Sequence, residues 1–335
     1  MGNLLYPIKI KGKYGYIDEE GNIRVECKYD FTDDFYEGYS IVAVGDKYGI
    51  IDLEGNEVIA IEYDDIYNFS DGIAIFEAEG KRGYVEKNGK IIAEAKYDDA
   101  IGFSEGLAAV KKGYNWGYID KSGNEVIEPQ FLDAADFNEG IALVQYGGKI
   151  GYIDKQGKFI IEPKYSYANN FSEGLASVLN NKYGYIDLKG SMIIKPAYDS
   201  AGLFNEGLAA VEINEKYGFI DKNGELVIAL KYDWVDDFNG GLATVAVGDK
   251  YGFIDKEGKE VIKVVYDNVG NLSNGLIAVQ IEDKFGFMNE KGEIVIKPAF
   301  EEAFDFQGDL AKVYFEKRER YINKKGEFIN PKSNS

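Results

Sequence analysis

The chain has 335 residues, and its 58 acidic against 38 basic side chains give a formal net charge of −20. Nucleic acid is bound through a basic footprint, so this charge excludes it as the expected partner. The sequence contains no histidine and a single cysteine, Cys27. It therefore lacks the commonest general base, a Ser-His-Asp triad and an internal disulfide, and we expect no enzyme activity, no metal site and no cofactor.

Hydropathy and the N-terminal sequence indicate where the chain works. No apolar run reaches the roughly 18 residues that a membrane helix needs, so we expect no membrane insertion. The stretch MGNLLYPIKIKG lacks the basic and long apolar regions of a signal peptide. These features favour the cytoplasm, although a mature secreted or envelope-associated chain would read in the same way.

One short motif recurs along the whole chain, as KYGYIDEEGN from Lys13 and KYGIIDLEGN from Lys47. Its first glycine recurs every 34 residues, with one step of 33, and Arg320 replaces it in the tenth unit. The second glycine is present in all ten units, at Gly21, Gly55, Gly89, Gly123, Gly157, Gly190, Gly224, Gly258, Gly292 and Gly326. The repeat divides one domain, 1–335, into units 1–38, 39–72, 73–106, 107–140, 141–174, 175–207, 208–241, 242–275, 276–309 and a truncated 310–335.

Each unit predicts short strands joined by tight turns. In the fourth unit the sequence GLAAV (106–110) alternates as a half-buried strand does, and YGYID is rich in residues that suit a pleated surface. The turn DKSGNE follows, and its glycine can take positive φ while Asp120 caps the turn. A third strand, EVIEP (125–129), leads to a closing segment such as KYDDAIGFSEG. No stretch has helical periodicity, so the fold class is all-β and the second glycines are structural turn residues.

A unit of this length cannot bury its own apolar face, so stability must come from stacking on neighbours. The first unit begins at its first strand, and the last unit lacks the closing segment. Residues 1–3 are too few to supply that missing piece. We therefore predict ten tandem β-meander repeats stacked as an open, curved, solenoid-like array, with a closed β-propeller as the alternative.

The pattern FxEGLAxV followed by YGYIDxxGxxVIxPxYD resembles the WG-repeat family of bacterial proteins over essentially the whole chain. The Trp-Gly pair that names the family stands once here, at Trp116-Gly117, and Tyr, Phe, Ile, Arg or Glu fills the Trp position in other units. The resemblance implies a bacterial repeat protein used as a binding module, and it implies no established chemistry.

Two sets of residues are candidate binding sites. The first is an acid in the FxEG turn, which recurs in units one to six and disappears in the next three. A regular stack aligns these acids into an edge suited to a Lys- or Arg-rich segment or to weak cation binding, unless each one bonds a backbone N–H in its own turn. The second is Trp234, an aromatic residue outside the repeat register. The acids are Glu37, Asp71, Glu105, Glu139, Glu173 and Glu206.

Three functions are compatible with this reading. The favoured one is a non-enzymatic scaffold that binds a protein or peptide, with a basic partner if charge drives recognition. The alternative is a glycan or cell-envelope binding module that uses stacked aromatics such as Trp234. A glycoside hydrolase is least favoured, because it needs a carboxylate pair that breaks the repeat register and none is identified.

Overall fold

The computed structural model describes residues 4–332, which form 38 strands and no helix. The all-β prediction is confirmed. Within this part of the chain there is no helix long and apolar enough to span a membrane.

The strands form ten antiparallel sheets that follow chain order, and the chain divides into two compact units, 4–164 with 331–332 and 165–330. The strands up to the boundary are β1 (Tyr6–Ile10), β2 (Lys13–Ile17) and β3 (Ile23–Tyr29); β4 (Phe31–Thr32), β5 (Tyr39–Val44), β6 (Lys47–Asp52) and β7 (Glu57–Tyr63); β8 (Asp65–Ile66), β9 (Ile73–Ala78), β10 (Lys81–Glu86) and β11 (Ile91–Tyr97); β12 (Asp99–Ala100), β13 (Leu107–Lys112), β14 (Asn115–Asp120) and β15 (Glu125–Phe131); β16 (Asp133–Asn138), β17 (Ile141–Tyr146), β18 (Lys149–Asp154) and β19 (Phe159–Tyr165).

The second compact unit repeats this pattern. Its strands are β20 (Leu175–Asn180), β21 (Lys182–Asp187) and β22 (Met192–Tyr198); β23 (Ser200–Asn205), β24 (Leu208–Ile213), β25 (Lys216–Asp221) and β26 (Leu226–Tyr232); β27 (Trp234–Val235), β28 (Ala243–Val247), β29 (Lys250–Ile254) and β30 (Glu260–Tyr266); β31 (Asn268–Val269), β32 (Leu276–Ile281), β33 (Lys284–Asn289) and β34 (Ile294–Phe300); β35 (Glu302–Ala303), β36 (Leu310–Phe315), β37 (Arg318–Asn323) and β38 (Phe328–Ile329).

We name the four strands of a complete sheet A, B, C and D in chain order. Strand A is short, and in the fourth sheet it pairs Ala100 with Val110 of strand B. The segment after each YD pair therefore begins the next sheet instead of closing the previous one. The unit boundaries read from the sequence consequently fall between strands A and B.

Strand C meets strand D through a β-bulge beside the first glycine of the repeat. In the fourth sheet Trp116 lies opposite Phe131 and Tyr118 lies opposite Ile127, so strand D has extra residues beside Gly117. A Cβ on Gly117 would lie 2.4 Å from the carbonyl oxygen of Ile127. Only glycine permits this approach of the two backbones.

The tenth sheet explains why Arg320 can replace this glycine. There strand D is the two-residue β38, and it pairs Tyr321 with Ile329 and Ile322 with Phe328 without a register shift. No bulged strand crosses the α-carbon of Arg320, so a side chain fits.

Neighbouring sheets are joined by buried contacts that recur at the repeat period. The Tyr118 hydroxyl, on a fully buried ring, donates to the carbonyl oxygen of Ala135 in the next sheet at 2.7 Å. The Ser104 hydroxyl donates to the Phe137 carbonyl oxygen at the same distance. Ile127 of strand D packs on the turn glycine Gly157 of the following sheet. Within a compact unit, sheets thus bury their apolar side chains against the next, as stacking requires.

The C-terminal end of the described chain pairs with the first sheet. The Lys332 N–H donates to the Gly21 carbonyl oxygen at 2.8 Å, and Lys332 forms a parallel bridge with Asn22. The fold is a β-propeller of ten blades, so the preferred open, solenoid-like array is corrected to the alternative. The open array rested on the assumption that one terminus must complete the other's blade, whereas here a single backbone contact returns the chain end to the first turn. Residues 1–3 lie outside the described residues.

We expect Gly123→Ala to destabilise the fold more than Gly89→Ala. Both glycines have a φ of 80°, which costs an alanine about 1 kcal/mol. A Cβ at Gly123 would also lie 2.2 Å from the Ile92 carbonyl oxygen, whereas nothing lies within 4 Å of one at Gly89. Urea denaturation of the two variants measures the difference in the free energy of unfolding. Equal losses would contradict the contact between the turn and the preceding sheet.

We expect Tyr118→Phe to lower the free energy of unfolding by about 1–3 kcal/mol, because it leaves the partly buried Ala135 carbonyl without this donor. Tyr114→Phe is the matched control, since that tyrosine is 89% exposed. Thermal and urea denaturation measure both variants. A Tyr118→Phe protein as stable as the control would show that the hydroxyl does not join the sheets.

Candidate functional site

The predicted acids all occupy a tight turn between strands A and B. In the fourth sheet, Ser104 and Leu107 exchange backbone hydrogen bonds of 2.9 and 3.1 Å around Glu105 and Gly106. Both central residues have positive φ, at 51° and 87°, which is the geometry of a type I′ hairpin turn. The predicted acids have φ of 50–54°. In later units the same position is taken by Gly240, Asn274 and Gly308, and their φ is also positive. The turn therefore keeps the same backbone conformation with or without an acid at this position, and the acid is not needed to form it.

Several of these carboxylates accept donors from elsewhere in the fold. Glu105 Oε2 accepts the Gly140 N–H of the next turn and the Lys155 ammonium, both at 3.1 Å. The contact resembles the predicted bond to a backbone N–H, but the donor belongs to the following sheet and not to the acid's own turn. These donors hold the acids in place as links between sheets.

The same arrangement recurs in the second compact unit. Glu206 Oε2 accepts the Gly241 N–H at 3.1 Å and the Lys256 ammonium at 2.9 Å. The hydrogen bond from Lys256 lowers the pKa of the Glu206 carboxyl, and the N–H groups of the next turn add to this effect while burial opposes it. Glu173 pairs with Lys222 in the same way.

The other acids differ in their contacts. Asp71 Oδ2 lies 3.3 Å from the Lys121 ammonium. Glu37 is exposed, and no ion pair found between residues 4 and 332 includes it. Glu139 is exposed in the equivalent turn. The structure therefore places the six acids at equivalent positions, with most of the charge already met by lysines.

The ten second-position glycines, Gly21 to Gly326, all have positive φ between 76° and 84°. In the fourth sheet Asp120 Oδ1 accepts the N–H groups of Ser122 and Asn124 at 2.8 and 2.9 Å, which caps the turn. These residues act in the turn of each blade and are not placed at a ligand cavity.

Trp234 lies on strand A of its sheet and is 44% exposed. Its ring packs edge-on against Tyr251 with centroids 6.2 Å apart. Phe31 is exposed to the same extent at the equivalent position, and it packs on Tyr48 in the same geometry. Trp116, by contrast, is buried in the core. Trp234 is therefore an aromatic surface that a flat ligand can reach.

The second compact unit contains a cavity of about 470 Å³ that the sequence reasoning did not predict. Three acids line it and none of its lining residues is basic. Glu206 is the one predicted site residue among them. The lining residues are Asn205, Glu206, Asp236, Asp237, Phe238, Asn239, Leu242, Thr244, Phe253, Asn271 and Leu272.

The charge in this cavity centres on Asp237. Asn205 Nδ2 donates to Asp237 Oδ2 at 2.8 Å. Burial raises the pKa of the Asp237 carboxyl, the negative charge of Asp236 raises it further, and the Asn205 amide opposes both. A partly buried carboxylate of this kind gains from a cation that replaces the lost hydration.

Repeat-breaking residues line this cavity. The tyrosine that joins neighbouring sheets through its hydroxyl, such as Tyr118, is replaced by Phe253. Asn205 stands where a serine such as Ser104 donates to the next sheet, and it turns to Asp237 instead. Adjacent acids like Asp236-Asp237 recur elsewhere in this register only at positions 33 and 34. Of these features only the Asp236-Asp237 pair is rare in the repeat, because Phe219 and Phe287 also replace the tyrosine and Asn138 and Asn239 also replace the serine.

The cavity suits an organic cation better than a metal. No group of three or more His, Cys, Asp or Glu side chains positioned to hold a metal ion occurs in the described part of the chain. Phe238, Leu242 and Phe253 give the cavity an apolar wall beside its acids. An aliphatic stem that ends in an ammonium or guanidinium group matches both surfaces.

Cys27 lies on strand D of the first sheet, where burial raises the pKa of its thiol.

Comparison with solved structures supports the fold alone. The crystal structure of the eukaryotic initiation factor matches with a TM-score of 0.60 at 10% identity, over 97% of this chain and 100% of that chain. Kluyveromyces lactis Hsv2p matches with a TM-score of 0.40 at 11% identity, over 67% of this chain and 92% of that one. Dihydro-heme d1 dehydrogenase NirN in complex with DHE matches with a TM-score of 0.42 at 15% identity, over 78% of this chain and 73% of that one. The last two scores are too low to support any inference.

Comparison with protein families is more specific. No curated protein sequence matches the chain. The family described as WG containing repeat matches nine consecutive segments, 14–48, 48–81, 83–116, 116–149, 150–182, 183–217, 217–251, 251–285 and 285–317. These segments cover most of the sequence and share its repeat period. The chain belongs to the WG-repeat family.

Proposed function

We propose that this repeat protein is a non-catalytic scaffold that binds a protein or peptide partner through a basic side chain. The observation that supports it is the cavity in the second compact unit, with Glu206, Asp236 and Asp237 on its wall and no basic lining residue. A Lys or Arg side chain supplies the missing positive charge, and its methylene groups cover the apolar wall.

The charge of the chain supports the same class of partner. The formal net charge of −20 attracts basic segments over distances of about a Debye length and speeds their encounter. The acids of the A–B turns are less suited to recognition, because carboxylates such as Glu105 and Glu206 already accept an internal lysine, and recognition in the cavity therefore rests on Asp236 and Asp237. Long-range attraction by the whole chain and local recognition in the cavity are therefore separate contributions.

We expect a fluorescein-labelled peptide of alternating lysine and serine to bind, and the double variant Asp236→Asn, Asp237→Asn to bind it at least tenfold more weakly. The variant removes two of the three carboxylates that line the cavity. Fluorescence anisotropy at low salt measures the affinity. The same peptide with its lysines acetylated has no side-chain charge and should not bind.

A charge-matched control separates the cavity from the overall charge of the protein. Asp249→Asn with Asp283→Asn removes two exposed carboxylates from B–C turns of the same compact unit and should retain the affinity. Acidification should weaken peptide binding as Asp237 protonates, at a higher pH than an ordinary aspartate because burial raises its pKa. Equal losses in the two double variants would refute the cavity as the site.

Trp234 supports a second candidate function, the binding of envelope glycans. Sugar rings stack on exposed aromatic faces, and this indole is 44% exposed beside Tyr251. We expect Trp234→Ala to abolish retention on insoluble cell-wall polysaccharide in a sedimentation assay. Tyr114→Ala removes a more exposed aromatic ring from a B–C turn and should leave retention unchanged. Full retention of the Trp234→Ala protein would exclude this surface.

A further inference from the structure

The D strands form one edge of their sheets and carry an exposed apolar position just before their buried isoleucine. In the first compact unit Val126 and Ile160 are 43% and 42% exposed there. In the second, Ile193, Val227 and Val295 are 47%, 43% and 47% exposed. A β-branched residue at the same exposed position in successive blades is an apolar surface built by the repeat, unlike isolated surface residues.

A charged position lies two residues further along the same strands, on the same face. Its sign differs between the two compact units. Three successive D strands of the first unit carry exposed acids here, and three of the four D strands complete in the second carry exposed lysines, with Ala229 in the remaining one. The acids are Glu94, Glu128 and Glu162, and the lysines are Lys195, Lys263 and Lys297.

These six side chains stand outside the ion pairs that recur with the repeat in the described residues. The lysine that opens strand C pairs with the aspartate after strand D, as Lys182 does with Asp199 and Lys250 with Asp267. Lysines of the C–D turns, such as Lys256, pair with an acid of an A–B turn. None of the ion pairs found in residues 4–332 includes the six D-strand charges.

We propose that the D-strand faces bind a second copy of this chain, with the acidic face of one copy against the lysine face of the other. The two faces have opposite charge, and the same repeat period spaces both. Each also carries a flanking apolar row that a contact would remove from water. Every copy carries both faces, so each face has its complement on the other copy.

The overall charge makes this match specific. Two copies that each carry −20 repel one another in most orientations. The lysine face in the second compact unit is an exception, since Lys195, Lys263 and Lys297 are accompanied there by apolar residues and Ala229. An acidic surface from another copy is attracted to this face and repelled elsewhere, so charge selects the orientation as well as the partner.

Sedimentation equilibrium of the full chain tests the proposal. The wild-type protein should form dimers, and the variant Lys195→Glu, Lys263→Glu, Lys297→Glu should raise the dissociation constant at least tenfold. The opposite variant, Glu94→Lys, Glu128→Lys, Glu162→Lys, makes the net charge less negative and so weakens the general repulsion between copies. It should nevertheless lose dimerisation as well. An equimolar mixture of the two variants restores both complementary contacts and should dimerise like wild type.

The controls exclude overall charge and misfolding. Lys11→Glu, Lys149→Glu, Lys317→Glu has the same net charge as the D-strand lysine variant but changes two exposed B–C turns and the exposed start of a strand C, so its dimer should persist. Circular dichroism and thermal denaturation verify that every variant folds. A monomeric wild-type protein, dimers that survive both charge reversals, or a mixture that stays monomeric would each overturn the proposal.

Discussion

The close approach of strand D to the glycine of strand C is the constraint on which the rest of the fold depends. At Gly117 the carbonyl oxygen of Ile127 occupies the place of a side chain, and this approach fixes the bulge of strand D. The bulge directs Ile127 toward Gly157 of the next sheet, while Tyr118 reaches the Ala135 carbonyl. A local backbone contact is therefore converted into the contacts that join neighbouring blades.

Departures from the repeat then create the candidate site. Where the tyrosine becomes Phe253, the hydroxyl that joins two sheets is missing, and where the serine becomes Asn205, its donor turns to Asp237. The first change removes a link between neighbouring sheets, the second replaces a serine link with the bond from Asn205 to Asp237, and a cavity lined by Asp236 and Asp237 lies at the same place. Functional sites often depart from the rules that stabilise the surrounding fold, because recognition needs groups that packing has left unsatisfied.

The sequence predicted the elements that depend on local geometry. The repeat period, the strands and the ten turn glycines follow from residue types that suit strands and positive φ. It did not predict the sheet boundaries, because the pairing of Ala100 with Val110 is a tertiary contact that the repeat period leaves undefined. The return of Lys332 to Gly21 was missed because one backbone hydrogen bond has no sequence signature. The cavity was missed because Phe219 and Phe287 stand at the same repeat position as Phe253, so the lost hydroxyl does not mark one blade.

Charge in a repeat protein is informative when it is counted by position in the repeat. The net value of −20 describes steering and solubility, but it combines groups with different surroundings. Glu105, Glu173 and Glu206 are linked to lysines inside the fold, so they contribute little to the field that a partner meets at short range. Asp237 faces a cavity, and Lys263 stands exposed among apolar neighbours. The side chains available for recognition are therefore those that the repeat leaves unpaired, and in this chain they include both signs.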